Sequence, residues 1–130
     1  LMAIPPPTHP LVEADRFPVE RLRQEPFIEF LPGQETDNSR MLQQLQIRPK
    51  IRFATSDSRA AIAMVRAGLG ITLLNDILTA DLADGVAVLP LDPPQSVHLG
   101  IALPEEEHVS PAAKRFITYA LDRLPELDVL

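Results

Sequence analysis

The sequence predicts an α/β fold, a sheet covered by helices on both faces, and a few of its features together predict it. Apolar runs of strand length alternate with amphipathic segments of helix length along most of the chain. The run Ile71-Thr72-Leu73-Leu74 is apolar almost throughout, as a strand buried on both faces would be. Hydroxyl or Asp residues that can cap a helix follow the runs ending at Phe30 and Thr55.

Taken in order, Leu1-Met2-Ala3-Ile4 reads as a strand, and Pro5 to Phe17 as irregular. Pro18 to Arg23 reads as a short helix with proline in its first turn. Phe27 to Phe30 is a strand, ended by Leu31-Pro32-Gly33. A helix follows from about Asp37 to Gln46, capped by Thr36 or Asp37, with Met41, Leu42 and Leu45 on one face. Ile51 to Thr55 is the next strand. Ser56 or Asp57 then caps a helix that runs to about Ala67, with Ile62, Val65 and Leu69 as its buried line and Ala60, Ala61 and Ala63 allowing close packing. Gly68 supplies the left-handed residue that stops it, and Ile71 to Leu74 is a strand. Asp76 to Leu82 reads as a short helix, and Val86 to Leu91 and Val97 to Leu103 as strands separated by Pro93-Pro94. Ser110-Pro111 opens a last helix to about Leu124, whose apolar stripe is Phe116, Ile117, Ala120, Leu121 and Leu124.

Composition narrows the function classes. At 130 residues the chain holds one domain with one modest core. It has no cysteine, so it has no disulfide, no thiolate nucleophile and no Cys metal site, which fits the cytoplasm. A net charge of −6, with arginines scattered among acids, argues against nucleic-acid binding by this chain alone. Its apolar runs fall well short of the roughly 20 residues of a membrane span, so no membrane partner is expected. The 14 prolines cluster beside apolar runs and read as rigid connections.

The segment "ATSDSRAAIAMVRAGLGITLLN", Ala54 to Asn75, carries the features that most resemble a ligand site. Its Gly68-Leu69-Gly70 is not a dinucleotide fingerprint: Leu73 stands where a third glycine is needed, and the glycines lie between a helix and a strand rather than the reverse. They read as a helix stop and a tight strand entry. Thr55-Ser56-Asp57, in contrast, lies where a strand's carboxyl end meets a helix N-terminus, the place where open α/β sheets bind ligands. The alternative is that Ser56 and Asp57 only cap the helix, and Asp57 weakens an anion site by bringing its own charge. His9, His98 and His108 lie far apart without metal-ligand spacing, and no Gly-x-Ser-x-Gly elbow exists. No catalytic residue, metal site or cofactor is expected, and the chain reads as not an enzyme.

The chain resembles the C-terminal part of the effector-binding domain of LysR-type transcriptional regulators. The resemblance rests on "PPPTHPL" (Pro5 to Leu11), "EPFIEF" (Glu25 to Phe30), the Ala54 to Asn75 segment, "LADGVAVLPL" (Leu82 to Leu91) and "SPAAKRFITYAL" (Ser110 to Leu121), in family order from about Leu1 to Leu124. Asn75 departs from the proline usual there. The resemblance implies a three-layer α/β sandwich, a lobe like those of type 2 periplasmic binding proteins. Residues 11–94 would form the second lobe, residues 1–5 and 97–103 the crossover strands, and residues 110–124 the C-terminal helix. It implies a small-molecule effector, often a carboxylate, held between two lobes, with Phe30, Leu31, Thr55, Ser56, Asp57 and Ile101 as the ligand-binding residues here. It implies a homodimer or higher homo-oligomer, with the helix bearing Met41 and Leu45 as a candidate surface, and DNA contact only through a domain absent from this chain. The abrupt apolar start agrees with a fragment, and weak or no effector binding is expected of it alone. The other readings are a lobe of a solute-binding transport protein and a small α/β enzyme.

Overall fold

The computed structural model describes residues 1–80, 84–98, 100–104 and 108–123, in two compact units, residues 1–97 and 98–130. In the first unit the strands are β1 (Met2–Ile4), β2 (Phe17–Pro18), β3 (Pro26–Phe30), β4 (Lys50–Thr55), β5 (Thr72–Leu74) and β6 (Leu89–Asp92). Its helices are α1 (Asp37–Gln44), α2 (Ser58–Arg66) and the single turn α3 (Asp76–Thr79), with a 3-10 helix at Val19–Arg23. The second unit contains α4 (Pro111–Arg123).

One sheet runs β2-β6-β1-β5 and another pairs β3 with β4, in parallel. They are joined where Ile71, just before β5, bridges Phe27 in parallel; Ile28 N–H donates to Ile71 O at 2.8 Å and Ile71 N–H donates to Pro26 O at 2.8 Å. β1 lies antiparallel between β5 and β6, with Ala3 opposite Leu73 on one side and Leu89 on the other.

Strand alternation sorts the core into two layers. Ala3, Phe27 and Leu73 join Phe17, Val19, Leu22, Met41, Leu42 and Ile47 on the face covered by the 3-10 helix and α1. Their neighbours Ile4, Ile28 and Leu74 pack with Ile62 and Val65 of α2 on the opposite face. Helices therefore cover both faces of the sheet, the expected three-layer α/β arrangement.

The helix ends are set by local chemistry. Thr36, not Asp37, caps α1: its hydroxyl accepts from Ser39 N–H at 3.1 Å, and Ser39 Oγ accepts from Thr36 N–H at 2.8 Å. Asp57, not Ser56, caps α2, accepting from Ala60 N–H at 2.9 Å. Gly68, at φ +77°, ends α2 in paired reverse bonds, Gly68 N–H to Val65 O and Leu69 N–H to Met64 O.

Several expectations need correction. Leu69 is 39% exposed and Ala63 is exposed, because the chain turns away at Gly68 before Leu69 can continue the buried line. Met41 is buried and Leu45 packs on the same core, so that face of α1 is interior and not a free dimer surface. The strand expected at Val86 begins only at Leu89, where the ladder with β1 begins. No described residue of Val97 to Leu103 is in a strand, because none finds a ladder partner; Ile101 and Leu103 are exposed. The strand Phe17–Pro18 was not expected, its proline notwithstanding; it pairs in parallel with β6. The stretch of the α3 helix expected as far as Leu82 and the end of the last helix at Leu124 lie outside the described residues.

Candidate functional site

The candidate site lies at the carboxyl ends of β3 and β5. β3 ends at Phe30, opposite Thr55 of β4, and the pairing continues one step as Leu31 N–H donates to Thr55 O at 2.9 Å. Leu31 takes φ +56°, a left-handed conformation that a branched side chain rarely adopts. This turn carries the chain from β3 across the sheet end toward the N-terminus of α1.

One cavity opens here, and a second extends from it along the β3–β4 pair toward the amino ends of those strands. The first, of about 430 Å³, is lined by Phe30 and Leu31 from the end of β3, Leu74 and Asn75 from the end of β5, and the N-terminal turn of α1. The second, of about 370 Å³, lies between α1 and the β3–β4 pair, with Phe27, Leu42, Ile47 and Ile51 as its apolar wall. Phe30, Leu31, Gln34, Thr36 and Asn38 line both.

The structure brings part of the expected set together. Phe30, Leu31 and Thr55 are joined by the β3–β4 ladder, and Phe30 and Leu31 face cavity space. Thr55, Ser56 and Asp57 line neither cavity. The Thr55 hydroxyl accepts from Asp57 N–H at 3.1 Å, and the Asp57 carboxylate is taken by Ala60 N–H. Ser56 is exposed, with no hydrogen-bond partner among the described residues. Ile101 belongs to the second unit and is 47% exposed.

Sequence reasoning missed Asn38, and it noted Asn75 only as a departure from the usual proline. Asn38 Nδ2 donates to Leu73 O at 2.8 Å, which ties the first turn of α1 to β5 and fixes the orientation of the amide. Its Oδ1 is buried without a hydrogen-bond partner. Asn75, the departure from the usual proline, lies on the wall of the larger cavity at the start of α3. The signal for Asn38 was the Thr36-x-x-Ser39 capping box, which places the intervening residues on the first turn of a helix beside the sheet end. No group of three or more metal-ligating side chains occurs among the described residues, and no helix there is long and apolar enough to cross a membrane.

Comparison with known proteins identifies the family. The model of the LysR substrate binding domain matches residues 1–125, and the chain belongs to that family. The HTH-type transcriptional regulator YwbI of Bacillus subtilis (strain 168) is 32% identical over 123 residues, which are 92% of this chain and 41% of that protein. The effector binding domain of QuiR, solved in complex with shikimate, superposes with a TM-score of 0.73 at 22% identity, over 97% of this chain and 61% of that one. The regulatory domain of Synechocystis PCC6803 CcmR, solved with 2-PG, gives 0.77 at 17% identity, over 97% and 63%. The fold is thus that of LysR effector-binding domains, and the chain spans less than half the length of the curated relatives it matches. Those relatives are transcriptional regulators, and the transport reading finds no support among them.

Proposed function

We propose that this chain is the effector-sensing part of a LysR-type transcriptional regulator. The observation that carries the reading is a cavity at the carboxyl ends of β3 and β5 in a chain whose family match extends over residues 1–125. A small molecule held at this wall, with a second lobe closing over it, biases the lobe arrangement and through it the hold on DNA. Such control requires the ligand to prefer one arrangement over the other. DNA is contacted through a domain outside this chain, consistent with the net charge of −6. The protein acts in the cytoplasm as a homodimer or higher homo-oligomer, and works by binding rather than turnover. Phe30 and Leu31 form the apolar part of the second-lobe wall, and Thr55, Ser56 and Asp57, at the end of the neighbouring strand, contribute polar groups to the ligand. QuiR and CcmR, solved with shikimate and 2-PG, support a small polar metabolite as the ligand class.

The test is to express the chain with the sequence that precedes it in its gene and to measure sequence-specific DNA binding with and without fractionated small metabolites. Specific binding that a metabolite fraction shifts supports the reading. A secretion signal in place of a helix-turn-helix, or the absence of specific DNA binding, overturns it.

A further inference from the structure

The larger cavity at the ends of β3 and β5 has a wall residue whose side chain the fold does not use, and the inference drawn from it rests on the effector-sensing reading above. Asn75 directly follows β5 and stands at the N-cap of α3. An asparagine in that position ordinarily caps the helix with its side-chain oxygen. Here it makes no such bond. The first turn of α3 is served by Asp76 instead, whose Oδ1 accepts from Ile77 N–H at 3.0 Å.

The backbone does not call for asparagine either. At φ −72° and ψ 146°, Asn75 has the conformation of proline, the residue usual there in the family. Leu74 before it is in a strand, the conformation that a following proline prefers. Asn75 N–H makes no hydrogen bond among the described residues, so a proline in its place would forfeit none.

A polar side chain that neither caps nor is demanded by its backbone is free to serve a ligand. Most other polar side chains on this wall are engaged. Arg40 is held by Glu35 Oε1 at 3.1 Å and Asp37 Oδ1 at 3.6 Å, Thr36 accepts from Ser39 N–H, and Asn38 donates to Leu73 O. The side-chain amides of Gln34 and Asn75 make no hydrogen bond among the described residues, and neither is buried. Gln34 is exposed on the turn after Leu31, whereas Asn75 is half-buried between β5 and α3 and is held by both. Its amide offers an acceptor at Oδ1 and two donors at Nδ2. α3 is a single turn and supplies no anion site of its own, so recognition here lies in the amide.

We propose that Asn75 is a specificity-determining residue of the effector site, and that its amide receives a group of the effector that donates and accepts at once, a hydroxyl or a carboxamide.

Two probes of matched shape test this: cyclohexanecarboxamide, which donates and accepts, and cyclohexyl methyl ketone, which only accepts. Each is titrated into the chain while backbone amide NMR shifts are followed at Leu31, Gln34 and Leu78. The carboxamide is expected to bind about three- to tenfold more tightly than the ketone, the contribution of one additional hydrogen bond. Asn75→Pro, and Asn75→Leu of similar size, are expected to abolish that preference while changing the ketone's affinity less than about twofold. Asn75→Pro is also expected to leave the midpoint of thermal unfolding where it is or to raise it, because the backbone already suits proline. A lower midpoint would show that the fold needs the asparagine, and would overturn the inference. So would equal binding of the two probes, or a preference that survives in either variant; both outcomes leave the effector-sensing reading standing. If neither probe moves these amides, the inference falls, while the effector-sensing reading is still decided by the metabolite-dependent DNA binding described above.

Discussion

Gly70 lies so close to Pro26 that a Cβ built on it would stand 2.6 Å from the Pro26 carbonyl oxygen and 3.0 Å from its carbon. The same oxygen accepts from Ile71 N–H at 2.8 Å, so this contact is where the β3–β4 pair is joined to β5. The glycine is required by close approach of two backbones, not by a phosphate.

Gly70→Ala is therefore expected to cost about 3 kcal/mol, because the obstacle is backbone that cannot swing aside. Gly68→Ala provides the comparison. Its φ of +77° is unfavourable to alanine, but an added Cβ meets nothing within 4 Å. Its cost should stay near the left-handed penalty of about 1–2 kcal/mol. Urea unfolding of both variants checks the order, and equal costs would refute the close-approach argument.

Asp57 separates capping from ligand binding. Its carboxylate accepts from Ala60 N–H at 2.9 Å at the start of α2. Asp57→Ala should lose about 1 kcal/mol of stability, whereas Asp57→Asn should lose almost none, since Asn caps as well as Asp. Thermal unfolding measures the first effect. A stability loss in Asp57→Asn as large as in Asp57→Ala would show that the charge, not the cap, is what matters there.

His9 closes the irregular segment between β1 and β2. Its Nδ1 accepts from Leu11 N–H at 3.1 Å, so the ring proton sits on Nε2, which lies 3.3 Å from Glu25 Oε1. The His9 and Phe17 rings stand 5.9 Å apart. His9→Ala leaves the Leu11 N–H without its acceptor, while Glu25 Oε1 keeps its 2.8 Å bond from Arg21, and should cost about 1–3 kcal/mol. A double-mutant cycle with Glu25→Ala should return a coupling of at least about 0.5 kcal/mol. Additive costs in denaturant unfolding would mean that the 3.3 Å approach contributes nothing.

Much of this was legible in the sequence wherever the signal is local. The caps at Thr36, Asp57 and Ser110, the stop at Gly68 and the buried strand ending at Leu74 each follow from a few neighbouring residues. Residues whose place depends on a distant partner were not legible. Val97 to Leu103 has the composition of a strand, but strand structure needs a ladder that composition does not supply. Met41 and Leu45 form the kind of apolar face that suits a core or an interface equally, and only the packing against Phe27 and Ile47 decides for the core. At the candidate site, Phe30 and Leu31 could be found because a strand end is readable. Asn38 was missed, and Asn75 was noted without a place on the wall, because their meeting depends on the end of β5 coming beside the start of α1.

The last expectation concerns α4. It has 13 residues and none of them is buried; Phe116, Tyr119 and Leu121 are 65%, 59% and 58% exposed. The Ser110 hydroxyl accepts from Ala113 N–H at 3.2 Å and so supplies a cap, but a cap of about 1 kcal/mol does not hold an isolated helix of this length. The helix needs apolar cover, and a second copy of the chain can supply it. Amide exchange in α4 should therefore slow as concentration rises, in step with a rise in weight-average mass by sedimentation. Phe116→Asp with Leu121→Asp should abolish both changes while leaving exchange in β1, β5 and α2 as it was. Exchange in α4 that is slow and independent of concentration would mean that the helix finds its cover within one chain.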